Sequence, residues 1–153
     1  MAGIYLHIPF CRKRCHYCDF FKSTDLSQKA RLLEGLRKEL ESRSSELISE
    51  EINTIYLGGG TPSVLLIDEL KDLLQTIGQN YRVSPEAEIT MEANPDDLSQ
   101  AILTVLREIG FNRLSMGVQS FSESDLKLMN RRHGVMQAIQ SVKWAKTAGF
   151  SNI

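Results

Sequence analysis

YLHIPFCRKRCHYCDFF, residues 5 to 21, is the stretch on which the reading of the chain turns. It begins as an alternating apolar run: Ile4, Leu6 and Ile8 face one way, Tyr5 and His7 the other, and Pro9 stops the pattern. That is a short strand. All three cysteines follow at once, Cys11, Cys15 and Cys18, in the spacing C-x3-C-x2-C. Thiolates this close in sequence can wrap one metal centre. A 4Fe–4S cubane normally takes four cysteines, so three leave one iron with an open position. Zinc is the competing reading, but His16 sits between two cysteines and is badly placed as a fourth ligand, and no second cysteine pair exists. A disulfide framework is disfavoured by the odd count and by the lack of a secretory signal before the run.

Working outward, the strand-and-helix pattern repeats. Helical periodicity predicts a helix from Ser27 to about Ile48, carried by Ala30, Leu33, Leu36, Leu40 and Leu47. A second strand, Ile52 to Leu57, runs into Gly58-Gly59-Gly60-Thr61-Pro62-Ser63. A helix over Leu65 to Ile77 follows, ended by Gly78. A third strand, Glu88 to Ala93, stops at Asn94-Pro95. Ser99 caps a helix through Ile109, which Gly110 closes, and a fourth strand runs from Arg113 to Gln119. Helical segments around Asp125–Arg132 and Met136–Ala148 complete the pattern, with Gly149 as the stop. Strands joined by helices predict parallel pairing with right-handed crossovers, an α/β fold. Ala148-Gly149-Phe150-Ser151-Asn152 echoes Ile109-Gly110-Phe111-Asn112, so Ile153 is expected at the start of a fifth strand and the chain reads as a piece of a longer protein.

The strands are not apolar on both faces, as a doubly wound sheet requires. Thr90 and Glu92 oppose Ile89 and Met91; Ser115, Gly117 and Gln119 oppose Leu114, Met116 and Val118. One face suits helices, the other a ligand inside an open, partial barrel. The polar residues come late in their strands, the end at which barrel enzymes build their sites. The glycine run leaves from that end too. It has neither the Lys-Ser/Thr pair of a P-loop nor the G-x-G-x-x-G spacing of a dinucleotide fold. Its alternatives are a flexible turn, or bare backbone suited to the amino or carboxylate group of a zwitterion.

Composition narrows the classes. The 153 residues are 42% hydrophobic and 24% charged with a net charge of -1, enough apolar material for one core and no basic stripe for nucleic acid. No apolar run is long enough to span a membrane. The cytoplasm is the expected compartment.

The cysteine spacing with Tyr17 before Cys18, and GGGTP after the second strand, resemble the radical S-adenosylmethionine (SAM) superfamily. YLHIPFC, GGGTPS, MEANPDDL and NRLSMGVQSF, in that order, resemble its oxygen-independent coproporphyrinogen III oxidase group. The resemblance covers essentially the whole chain. It implies a partial (β/α)6 TIM-like barrel, of which residues 1–153 hold the first four βα units. It implies a 4Fe–4S cluster on Cys11, Cys15 and Cys18, with SAM on the open iron. Tyr5, Gly58, Gly59, Gly60, Thr61 and Glu92 fall at positions for that SAM, and Tyr17, Gln119 and Arg131 at others lining the same cavity. One electron from the cluster then cleaves SAM to methionine and a 5′-deoxyadenosyl radical.

Two subgroups share these motifs. The oxidase carries a further cysteine two residues after the third, where this chain has Phe20, and usually a long extension before the first strand. Both departures, and Asn130-Arg131-Arg132-His133, resemble the sister group, the HemW-type haem chaperones. Haem or a porphyrin, an electron donor such as a flavodoxin or ferredoxin, and haem-acceptor proteins are the implied partners, with peripheral contact to membrane partners. The competing activity is oxidative decarboxylation of coproporphyrinogen III. His133 reads more simply as a solvent-facing or structural histidine than as a haem ligand, and the haem site stays unassigned.

Overall fold

The computed structural model describes residues 2–153. Four strands, β1 (Ala2–Ile8), β2 (Ile52–Gly59), β3 (Val83–Ala93) and β4 (Arg113–Met116), form one sheet in chain order, every pair parallel. Helices α1 (Lys29–Ser42), α2 (Ile67–Asn80) and α3 (Gln100–Glu108) connect them, and α4 (Glu123–Leu128) and α5 (Val135–Thr147) follow β4. Strand order that never reverses, with crossovers of one hand, keeps the helices on one side and leaves the other side open.

The alternation seen in the sequence becomes two rows across the sheet. Leu6, Leu57, Met91 and Leu114 lie in register and are buried. They pack in one core with Leu33 and Leu40 of α1, Leu70, Leu73 and Ile77 of α2, and Leu103 and Leu106 of α3. On the opposite face Tyr5, Tyr56, Thr90 and Arg113 form the matching row. Lys29 and Glu69 tie α1 to α2 at 2.8 Å, and the same carboxylate accepts the Leu66 N–H at 2.7 Å at the start of α2.

The echoed helix-to-strand joins are structurally equivalent. Gly110 and Gly149 both take positive φ (114° and 91°), and Phe111 and Phe150 each donate their N–H back to a helix carbonyl at 3.0 Å, Leu106 and Ala145 respectively. This is a glycine stop with an apolar residue closing over it. Both phenylalanines are buried. Asn152 continues the parallel: it makes an isolated parallel bridge to Arg113, its carbonyl accepting the Leu114 N–H at 3.1 Å.

Several expected boundaries shift. The first helix ends at Ser42, and Ser44–Leu47 form a separate 3-10 turn, which leaves Ile48 exposed. Pro62–Val64 is likewise a 3-10 turn, so α2 starts at Ile67; it passes through Gly78 to Asn80, whose side chain donates to the Thr76 carbonyl. The third strand begins earlier, at Val83, paired with Ile52 across a register shift. The fourth stops at Met116 rather than Gln119: the Val118 N–H turns back to Met116 O at 2.9 Å, and Gln119 then takes φ 67°, outside any strand. The segment after it is helical only to Leu128, not Arg132. Ser99 does cap α3, accepting the Ile102 N–H at 3.3 Å.

Phe111 anchors the join between α3 and β4 with no exposed surface. Phe111→Ala is expected to destabilise the protein by about 3–5 kcal/mol, read from the urea midpoint, through lost transfer energy and the cavity left behind.

Candidate cluster and cofactor site

The C-terminal ends of β2, β3 and β4, with the cysteine loop that follows β1, line a cavity of about 290 Å³. Three thiols line it, with main chain at Gly59 and Gly60 and side chains of Tyr17, Thr61, Glu92, Asn94, Gln119 and Arg131. The sequence-predicted residues therefore converge, with two exceptions. Tyr5 lines a different cavity, about 390 Å³, against α1, where it stacks on Tyr56 and meets His7 Nδ1 at 3.2 Å. Gly58 is buried in β2, where a Cβ would stand 3.1 Å from the Glu92 carboxylate. The larger cavity holds no cysteine, so the smaller one is where metal chemistry can occur.

The cysteine loop is held from both sides. Cys11 N–H donates to Ser23 O at 2.9 Å and Ser23 N–H to Pro9 O at 2.7 Å, closing the loop on itself. His16 donates its N–H to Met129 O (3.2 Å), its Nδ1 meets Leu128 O (2.8 Å), and Asn130 Nδ2 donates to Arg14 O (2.7 Å). His16 is thus engaged with the chain after α4, not with the cysteines. The glycine turn is pinned to β1: Gly60 N–H donates to Ile8 O and Thr61 N–H to Phe10 O, both at 2.8 Å. A Cβ on Gly60 would lie 2.7 Å from Phe10 O and 2.9 Å from Ile8 O, and Gly59 has φ 111° beside the His7 ring. Glycine is required there because two backbones touch.

Polar contacts organise the lining. Glu92 accepts the Tyr56 hydroxyl at 2.8 Å and the Gly59 N–H at 3.0 Å. Thr61 Oγ1 donates to Cys11 Sγ at 3.2 Å. Arg131 donates from one terminal nitrogen to Cys15 Sγ (3.2 Å) and Tyr17 OH (3.4 Å), and from the other to Asn94 Oδ1 and Gly117 O (2.7 Å). Its Nε is buried without a partner. Burial pushes the Cys11 thiol up, Thr61 opposes this, and the other two cysteines add to it. Burial likewise raises Tyr17 against the pull of Arg131, and raises Tyr56 with help from Glu92. Ionising Cys11 is therefore unfavourable in the bare pocket, and a bound cation is what reverses that.

The donor set fits a cluster and a zwitterionic ligand. Among the described residues no three His, Cys, Asp or Glu side chains are grouped as a single ion requires. A cubane binds its thiolates at three separate irons, so its sulfurs need not meet at a point. Lys13, Lys22 and Arg131 line the cavity against one carboxylate, Glu92, a balance suited to an anionic guest.

Sequence reasoning missed Tyr56 and Asn94. The signal for Tyr56 was its place two residues before Gly58, on the same strand face as Tyr5. Asn94 read only as a strand stop. Ser115 and Gly117 were legible from alternation and do line the cavity; Gln119 lines it too, but from a left-handed turn. His133 is buried, its Nε2 meeting Val118 O at 3.1 Å, so of its two expected readings the structural one holds.

Residues 5–153 match the Radical SAM superfamily. The chain belongs to that superfamily, whose members imply a 4Fe–4S cluster and SAM, and its four parallel strands belong to the superfamily's partial-barrel α/β fold. It is 43% identical over 150 residues to "Heme chaperone HemW" of Lactococcus lactis, covering 97% of this chain and 38% of that protein. It is 40% identical over 155 residues to the protein of the same name from Bacillus subtilis, covering 100% and 41%. The chain thus spans about two-fifths of the length of these curated relatives. The solved structure of coproporphyrinogen III oxidase (HemN) from Escherichia coli superposes with TM-score 0.90 at 32% identity, over 97% of this chain and 35% of that one. Among the described residues no helix is long and apolar enough to cross a membrane.

Gly60→Ala is expected to cost about 1–3 kcal/mol by overpacking backbone against backbone. It should also expose Cys11, so faster alkylation of that thiol by mass spectrometry accompanies the lower urea midpoint.

Proposed function

We propose that this chain is the cluster- and SAM-binding part of a haem chaperone, formed by the first four βα units of a longer barrel. The carrying observation is the convergence of three thiols, bare glycine backbone, Glu92 and Arg131 on one cavity. Cys11, Cys15 and Cys18 would hold the cluster. Gly59, Gly60, Thr61 and Glu92 would take the SAM amino end, with Tyr5 and Gly58 shaping the wall behind them. Tyr17, Gln119 and Arg131 would line the remainder, Arg131 offering its unpartnered Nε to an anionic group. When bound, the cluster and SAM supply one-electron chemistry. The residues of the chain orient the guests and keep their polar ends in fixed hydrogen bonds.

The chaperone reading is favoured by similarity to two proteins of that name at 40% or more. It is favoured also by Phe20, exposed at the mouth of the cavity where the oxidase group carries a further cysteine. Haem is then the cargo, delivered in the cytoplasm to acceptor proteins, with a flavodoxin- or ferredoxin-like donor for the cluster. A second reading, coproporphyrinogen III oxidase, draws on the TM-score of 0.90 to an enzyme of that name.

The two separate in one assay on the full chain, reconstituted anaerobically with iron and sulfide. With reductant, SAM and coproporphyrinogen III, the chaperone gives no carbon dioxide and no vinyl porphyrin, and binds haem stoichiometrically in a parallel titration. Decarboxylation would establish the oxidase instead. Cys15→Ala should abolish the visible absorption of the cluster, and an unchanged spectrum would refute the three-cysteine assignment. Glu92→Gln should leave the cluster in place and weaken SAM binding by about 1.5–3 kcal/mol, the worth of hydrogen bonds to a charged group. Equal SAM affinity in the variant would remove Glu92 from the site.

A further inference from the structure

The turn after β3 carries two consecutive acids, Asp96 and Asp97, neither of which lines the cysteine cavity. The Asp97 side chain is 2% exposed. A carboxylate is hidden to this degree only when its oxygens are fully used. Those of Asp97 are engaged by three segments distant in sequence. Arg12, next to Cys11, pairs through Nε at 3.1 Å. Ser63, two residues past Thr61, donates its hydroxyl at 2.8 Å. Arg132, next to Arg131, approaches through one terminal nitrogen at 3.5 Å, while its other pairs with Asp96 at 2.8 Å. Each partner is thus one or two residues from a group that lines the cavity.

The connections continue on the cavity side. Ser63 Oγ also accepts the Asn94 N–H at 3.3 Å, and the Asn94 side chain reaches Thr61 Oγ1 and Arg131. The cysteine loop, the glycine turn, the β3 end and the segment after α4 therefore share one buried anion behind the wall. Burial pushes the Asp97 carboxyl up, opposed by the Ser63 hydrogen bond and the two arginines.

We infer that Asp97 is a positioning residue: it sets the spacing between the cysteine loop and the strand ends, and with it the fit of the cavity to its guest. This rests on the cluster-and-SAM reading for the identity of the guest, but the spacing itself is testable without it.

The test begins with hydrogen exchange on the metal-free full chain. Asp97→Asn should speed exchange at least roughly tenfold at the amides of Cys11, His16 and Arg131, which bond to Ser23, Met129 and Leu126, and leave Leu57 and Met91 in the sheet unchanged. Ser63→Ala and Arg12→Met each remove one donor and keep the carboxylate, so they should speed the same amides by less. Unchanged loop amides, or equal acceleration in the sheet, would overturn the inference. After reconstitution, Asp97→Asn should keep its cluster and lose roughly ten- to a hundredfold in SAM affinity, the usual effect of removing an outer support. The readout is the change in the cluster's electron paramagnetic resonance on adding SAM. Loosened loop amides with unaltered SAM affinity would also overturn it. If the wild-type chain takes up no cluster, the cofactor reading fails, while the exchange result still decides the role of Asp97.

Discussion

The guanidinium of Arg131 bonds to four groups contributed by three otherwise separate parts of the chain: Cys15 and Tyr17 of the cysteine loop, Asn94 at the end of β3, and the Gly117 carbonyl beyond β4. A planar cation with donors in fixed directions can do this where a lysine ammonium cannot. A half-buried positive charge must be surrounded by acceptors, and here the acceptors are a sulfur, a phenol, an amide and a carbonyl, with no carboxylate among them. Its charge is therefore left uncompensated by any direct ion pair, in a cavity where burial holds the Cys11 thiol against ionisation. That imbalance gives the pocket a positive lining suited to an anionic guest.

The constraint extends outward through the parallel sheet. Because every strand pair is parallel, all their C-terminal ends lie at one end of the sheet, and each loop leaving that end delivers its residues to a common point. The core holds that end in shape. The buried row of Leu6, Leu57, Met91 and Leu114 fixes the register, and a slip of one residue would turn Glu92 into the helices and Met91 into the cavity. The same register allows Glu92 to reach both Tyr56 and the Gly59 N–H.

The cavity brings three thiols, bare glycine backbone, Glu92 and Arg131 together, with no histidine among its lining residues. His133 illustrates the point: a histidine that could have attracted a haem iron is buried beside Asp96, with Nδ1 3.8 Å from that carboxylate and Nε2 occupied by Val118 O. It ties the segment after α4 to Val118 and Asp96.

Period, spacing and punctuation carried most of the architecture. Alternation told the two sheet faces apart, the glycine stops marked the ends of α3 and α5, and C-x3-C-x2-C with GGGTP marked the cysteine loop and the turn facing it, because each depends on residues adjacent along the chain. Boundaries failed where a local signal was overridden: Gly78 stayed helical because its neighbours closed the next turn, and β4 ended early because the Val118 N–H turned back to Met116 O. The partners of Glu92 and of Arg131, and the burial of Asp97 and His133, were invisible in the sequence. Those contacts join residues 14 to 116 positions apart, and only the register of the sheet and the packing of the loops above it decides which polar side chains meet.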